Sequence, residues 1–142
     1  MRAVIIGSSG GIGAALTSQL AARNEVTSIY ALSRRGEQHS AGKISSLPLD
    51  LTDEDSIAAA AKTIDAEGGA DLVIVAAGIL SDATGLKPEK SLKQQSLEAF
   101  ETVFAINTIG PALVAKHFLP IMPRTGRAVF AALSARVGSI SV

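Results

Sequence analysis

Residues 3–24 read AVIIGSSGGIGAALTSQLAARN: an apolar run, then four glycines within positions 7–13, then an amphipathic run. That order decides the fold, because a strand-like segment feeds a turn almost free of side chains and the turn opens directly into a helix over 11–23. Backbone N–H groups and the positive end of the helix are thereby free to meet a phosphate. Gly7 permits the tight turn, Gly11 leaves room for a pyrophosphate and Gly13 lets the helix pack on the strand, with Ser9 and Ile12 completing the cradle. No Gly-Lys-Ser/Thr follows, so the loop lacks the lysine that a β- or γ-phosphate requires.

Working outward, apolar runs recur at 26–33, 44–50, 71–78 and 127–134, separated by helical patterns at 53–66 and 96–119. Runs apolar on both alternating faces suit parallel strands covered by helices on both sides. The expected fold is therefore an α/β, doubly wound parallel sheet of Rossmann type, strand order 3-2-1-4-5. Ser96 is a candidate cap for the long helix, whose apolar stripe runs Leu97, Phe100, Val103, Phe104, Val114 and Phe118. Residues 79–95, with Gly85, Pro88 and alternating charges, are either a solvated loop or a border of a cleft beyond the fourth strand.

The 142 residues suffice for one domain with a core, and no repeat or linker divides positions 1–142. Thirteen Lys and Arg balance thirteen Asp and Glu, which argues against a nucleic-acid groove or an anionic-membrane surface. The absence of cysteine excludes disulfides and thiolate metal sites and fits a reducing cytoplasm; His39 and His117 stand too far apart in sequence to suggest a ligand cluster. The N-terminus lacks the pattern of a signal peptide, and no uninterrupted apolar run reaches membrane-spanning length, so a soluble protein without a membrane partner is expected.

After the second strand the chain reads ALSRRG. Ser33, Arg34 and Arg35 stand where an NAD enzyme or a methyltransferase usually places an acidic residue for ribose hydroxyls. Guanidinium groups and a hydroxyl suit a 2′-phosphate, so the expected cofactor is NADP(H) and not NAD(H). The alternative is a pair of solvated arginines in an exposed loop.

With these segments in place the chain resembles the short-chain dehydrogenase/reductase family over essentially its whole length. IGSSGGIG (6–13) is similar to that family's Thr-Gly-x-x-x-Gly-Ile-Gly loop, with Ile6 for the threonine. DLT (50–52) resembles the tripeptide after strand three, which implies Asp50 at the adenine amino group and Leu51 along the ring. DLVIVAAG (71–78) resembles the segment ending Asn-Asn-Ala-Gly, with Val75 and Ala76 replacing the asparagines; Ala76, Ala77 and Gly78 would border the nicotinamide side. INTIGP (106–111) with Pro120 resembles the central-helix pattern, and AALSARVG (131–138) the strand that carries the catalytic serine. The tract 111–141 further resembles a C-factor-like bacterial branch.

The resemblance implies carbonyl reduction or alcohol oxidation by hydride transfer, with Ser134 holding the substrate oxygen and Asn107 supporting a water relay. Ser134 alone could equally be a strand-end serine satisfying backbone groups. Pro111 cannot donate to the Asn107 carbonyl, which predicts a kink there, used either for the relay or only for packing. The family's Tyr-x-x-x-Lys is not in these residues: the one tyrosine is Tyr30, in the second strand. The family's tyrosine follows its serine by roughly a dozen or more residues. The chain is accordingly expected to be the N-terminal, cofactor-binding portion of a small-molecule oxidoreductase, ending before the catalytic pair. A non-catalytic NADP(H)-binding or signalling module and an inert fragment are the alternatives. A homo-oligomer is expected, because an uncovered fifth strand beside an apolar helix face favours association.

Overall fold

The computed structural model describes residues 1–36, 42–81 and 85–135; His39, positions 82–84 and the end of the 131–138 segment lie outside them. Five strands, β1 (Arg2–Ile6), β2 (Ser28–Ser33), β3 (Ile44–Pro48), β4 (Leu72–Val75) and β5 (Val129–Ala132), form one all-parallel sheet in the order β3-β2-β1-β4-β5. This is the expected doubly wound arrangement. The order reverses beside β1, so the chain leaves β1 and β4 on opposite sides of a crevice at their carboxyl ends.

Val4 and Ile6 point to one face of β1, Ala3 and Ile5 to the other, and all four are buried. The larger core gathers Val4, Ile6, Tyr30, Leu32 and Val73 beneath α2 (Glu54–Ala66) and α4 (Gly110–Phe118), which contribute Ile57, Ile64, Val114 and Phe118. The smaller core lies under α1 (Gly11–Ala21), where Leu16 and Leu20 meet Ile5 and Ile29. A buried isoleucine such as Ile57, with no exposed surface, stabilises the fold by about 2–5 kcal/mol relative to alanine.

Strand ends differ from the expected bounds for local reasons. Val26 leaves β2 because its N–H turns back to the Arg23 carbonyl, and β4 stops at Val75 while Ala76 N–H still pairs with Ile6. Asp71, before β4, accepts from the Arg2 N–H at 2.7 Å and ties the start of the sheet together.

The long helix predicted over 96–119 is three pieces. Ser96 caps α3 (Leu97–Phe104), as predicted, by accepting from Ala99 N–H at 3.2 Å. A π turn spans Ala105–Ile109, and α4 comes next with Pro111 in its first turn. The predicted apolar stripe is thereby split, since a π turn inserts a residue and rotates the helix beyond it: Val114 and Phe118 are buried, whereas Leu97, Phe100 and Phe104 are exposed. The helical run Leu97–Ile121 has 25 residues with an apolar window of mean hydropathy 1.2, long and apolar enough to cross a membrane by composition alone. Polar residues punctuate the run, and core helices of soluble proteins pass the same test, so it is weak evidence for a span and does not overturn the expectation.

Candidate functional site

The glycine turn is held by one carbonyl. Leu32, near the end of β2, accepts from Gly7 N–H at 2.9 Å, Ser8 N–H at 3.1 Å and the Ser8 hydroxyl at 3.1 Å. Gly7 has φ +88°, a left-handed conformation, and a Cβ there would lie 2.9 Å from both the Cβ and the N of Ala77. Gly13 is buried, and a Cβ on it would land on the Gly7 carbonyl group. Gly11 differs: among the described residues, and apart from its chain neighbours and its own turn of helix, nothing lies within 4 Å of where its Cβ would be.

Helix α1 begins at this turn with Gly10 as N-cap, without a side-chain cap and without an acidic residue in its first turn. Its first N–H groups and the positive end of its dipole therefore face open space. By contrast, α2 is capped by Asp53, which accepts from Asp55 and Ser56 N–H, and carries Glu54 and Asp55 in its first turn.

Two adjoining cavities run along the carboxyl ends of the strands. One, of about 500 Å³, is lined by Gly7, Ser9, Gly10, Ser33, Arg34, Asp50, Leu51, Thr52, Ala76, Ala77, Gly78, Ile79, Ser81 and Ile106. The other, of about 620 Å³, shares Ala76 to Ile79 and adds Ile12, Leu80, Asn107, Pro111, Leu133 and Ser134. The structure thus brings together most of the residues singled out in the sequence. Gly11, exposed, and Gly13, buried, are not among the residues lining either cavity, and Arg35 is exposed outside them, one step further along the turn that the Gly36 N–H closes onto the Ser33 carbonyl at 3.1 Å. Of the 79–95 segment, Ile79, Leu80 and Ser81 border the cleft.

At the β3 end the Asp50 carboxylate accepts from the Thr52 N–H at 2.9 Å and the Thr52 hydroxyl at 2.7 Å. These bonds, the backbone one first, and the nearby Arg34 charge hold Asp50 below the usual carboxylate range. It is an anion at neutral pH with capacity left to accept from a ligand amine.

Asn107 sits in the π turn and forms a two-way clamp on the backbone after β4. It accepts from Ile79 N–H and donates its amide to the Ile79 carbonyl, both at 2.8 Å. Its side chain is thus occupied in tying the helix to the strand, a role the sequence pattern did not suggest. Thr52 and Ile106 are not singled out by the sequence pattern, though both stand inside the segments 50–52 and 106–111, and Ile79 opens the 79–95 segment, for which the sequence allows either a solvated loop or a border of the cleft. Ser134 lies just past β5, exposed, in the same cavity as Asn107.

Tyr30 is elsewhere. It is buried in the main core, and its hydroxyl donates to Glu67 at 2.7 Å. Burial, then the Glu67 hydrogen bond and charge, push its pKa up to about 12, so it is not an acid for the cleft.

Residues 1–140 match the family model for short chain dehydrogenase. The chain belongs to the short-chain dehydrogenase family. A curated relative is the cis-4-hydroxycyclohexanecarboxylate dehydrogenase of Sinomonas cyclohexanicum, 30% identical over 145 residues, an alignment covering 97% of this chain and 56% of that enzyme. The NADPH-bound carbonyl reductase from chicken fatty liver is similar at 25% identity and a TM-score of 0.73, over 84% of this chain and 47% of that one. A carbonyl reductase from Pseudomonas aeruginosa PAO1 shares the fold at a TM-score of 0.82 and 21% identity, over 99% of this chain and 64% of that one. This short-chain dehydrogenase chain therefore spans just over half the length of the curated relative it matches. Its relatives are dehydrogenases and reductases, which makes it a member of an oxidoreductase family.

Proposed function

We propose that the chain is the cofactor-binding part of an NADP(H)-dependent oxidoreductase that reduces a small carbonyl compound or oxidises the corresponding alcohol. The observation that carries this reading is the pair of adjoining cavities, joined at Ala76 to Ile79, that run from the uncapped start of α1, past Arg34 and Asp50, to Asn107 and Ser134. The residues fit such a group: the space beyond Gly11 and the free N–H groups of α1 suit a pyrophosphate, and Asp50 with Leu51 suits an adenine. Ser33 and Arg34 suit a 2′-phosphate, while Ala76, Ala77 and Gly78 leave space for the second ribose. When bound, the nicotinamide supplies or accepts a hydride.

The chain's own residues do the rest. The Ser134 hydroxyl donates to a substrate oxygen on the far side of the cleft, polarising a carbonyl as negative charge develops there. Asn107 keeps the π turn and the chain after β4 at a fixed separation, so the cavity between them keeps its width. The proton that this reaction exchanges must come from a group other than Tyr30, which is buried against Glu67. In the whole protein that group would be the family's Tyr-x-x-x-Lys. The exposed Leu97, Phe100 and Phe104 of α3 are the surface on which a homo-oligomer would form, and the lack of cysteine favours the cytoplasm.

The location of Tyr30 also favours a second reading, a module that holds NADP(H) without turnover. Titrating the chain with NADPH and NADH tests both. NADPH is expected to bind more tightly, and Arg34→Ala to lose about 1.5–3 kcal/mol of NADPH affinity, the worth of a charged hydrogen bond, while sparing NADH. Equal losses for the two cofactors would remove the argument for a 2′-phosphate. Reduction of carbonyl substrates by the chain itself would exclude the non-catalytic module.

A further inference from the structure

We propose that Gly110 is a positioning residue for the base end of the nucleotide cleft, an inference that rests on the nucleotide-binding reading above. Gly110 begins α4 with φ −54° and ψ −55°, ordinary right-handed helix that any residue adopts. Glycine at a helical position costs about 1 kcal/mol relative to alanine, so backbone conformation does not account for it.

Space does. A Cβ on Gly110 would lie 2.8 Å from the Leu51 Cβ, 3.1 Å from the Leu51 carbonyl oxygen and 3.3 Å from the Ala105 carbonyl oxygen. Two of these neighbours are backbone and the third is a Cβ, so none can swing aside by a rotamer change. Leu51 is itself buried and lines the cleft between Asp50 and Thr52. The missing side chain lets the start of α4 press directly on the back of this wall. The same short stretch of helix holds the opposite part of the cleft through the clamp of Asn107 on Ile79. One helical junction thus sets the wall at both ends.

Adding a methyl group at Gly110 pushes Leu51, and with it the Asp50–Thr52 turn, toward the space a base would take. The expected result for Gly110→Ala is a loss of affinity for 5′-AMP and for 2′,5′-ADP by the same factor, about tenfold or more, as overpacking shifts equilibria on this scale. The preference between the two ligands stays unchanged, because Ser33 and Arg34 are not displaced.

The test is a calorimetric titration of the chain, Gly110→Ala, Leu51→Ala and the double variant with 5′-AMP and 2′,5′-ADP, with thermal unfolding recorded in parallel. If the effect runs through Leu51, the glycine substitution costs clearly less in the Leu51→Ala background than in the parent. Unchanged 5′-AMP binding in Gly110→Ala, or fully additive losses in the double variant, would overturn the proposal. Leu51→Val leaves Gly110 untouched and serves if Gly110→Ala does not fold: weaker 5′-AMP binding is expected, and parental affinity overturns the role of this wall. A parent chain that binds neither nucleotide nor NADPH fails the nucleotide-site reading itself, whereas a binding parent with an indifferent Gly110→Ala fails only this inference.

Discussion

Gly11 and Gly13 stand two residues apart in one turn of α1, yet the same substitution should have opposite effects on them. At Gly13 an added Cβ would sit on the Gly7 carbonyl, 2.7 Å from its carbon and 3.0 Å from the Ser8 Cα. All of these are backbone atoms, and the turn they belong to is pinned to Leu32 by three hydrogen bonds. Relief requires α1 to lift from the sheet, and overpacking of this kind costs about 1–3 kcal/mol or more. Helix propensity returns at most about 1 kcal/mol, so Gly13→Ala should lose a net ~2 kcal/mol, a fall in Tm of roughly 4–8 °C for a chain this size. At Gly11 the Cβ meets nothing within 4 Å among the described residues, apart from its chain neighbours and its own turn of helix. The free chain with Gly11→Ala should be as stable as the parent or more stable by about 0.4–1 kcal/mol, since alanine restricts the unfolded chain. Its NADPH affinity should nevertheless drop about tenfold or more, because the methyl group takes space that the pyrophosphate would fill. Thermal unfolding with and without NADPH reads all three quantities. A Gly13→Ala chain with parental Tm would refute the steric argument, and a Gly11→Ala chain with parental NADPH affinity would refute the cradle.

Two further expectations rest on particular hydrogen bonds. Asn107→Asp keeps the acceptor for Ile79 N–H but sets a carboxylate against the Ile79 carbonyl; it should destabilise more than Asn107→Ala does at neutral pH and recover as the carboxylate is protonated in acid. Urea unfolding at neutral and acidic pH measures this, and a pH-independent cost equal to that of alanine would contradict the clamp. Tyr30 has its folded pKa raised to about 12 from 10.0, so its contribution is complete below pH 10 and lost as pH rises from there toward 12. Alkaline unfolding should be shallower over that window in Tyr30→Phe, and identical slopes would show that the phenol's burial and Glu67 contact do not matter to stability.

The sheet and its order were legible because the strands are short apolar runs whose two faces are both covered, and the glycine turn fixes which run comes first. That Ser33, Arg34 and Asp50 would line one cavity was legible for a related reason: they come at or just after strand ends, and strand ends in a parallel sheet converge on one crevice. What escaped was contact across the chain. That Asn107 would spend its amide on Ile79, 28 residues earlier, depends on how α3 and α4 are offset. Pro111 announced a disturbance in the long helix without saying that it would take the form of a π turn with an added residue. The apolar stripe from Leu97 to Phe118 failed at the same place, because helical spacing predicts a common face only when the turns before and after stay in phase.

That added residue has a consequence for how the gene can vary. Each residue advances an α-helix by about 100° and 1.5 Å, so excising one exposed residue from the π turn, Thr108 for example, would leave a regular helix with better local hydrogen bonding. It would also swing Val114 and Phe118 about 100° away from the core relative to Asn107. A deletion that heals the helix would therefore unseat either the domain or the cleft. This five-residue turn works as a spacer whose length is fixed by the packing at both its ends, and substitutions within it should be tolerated far better than any change in its count.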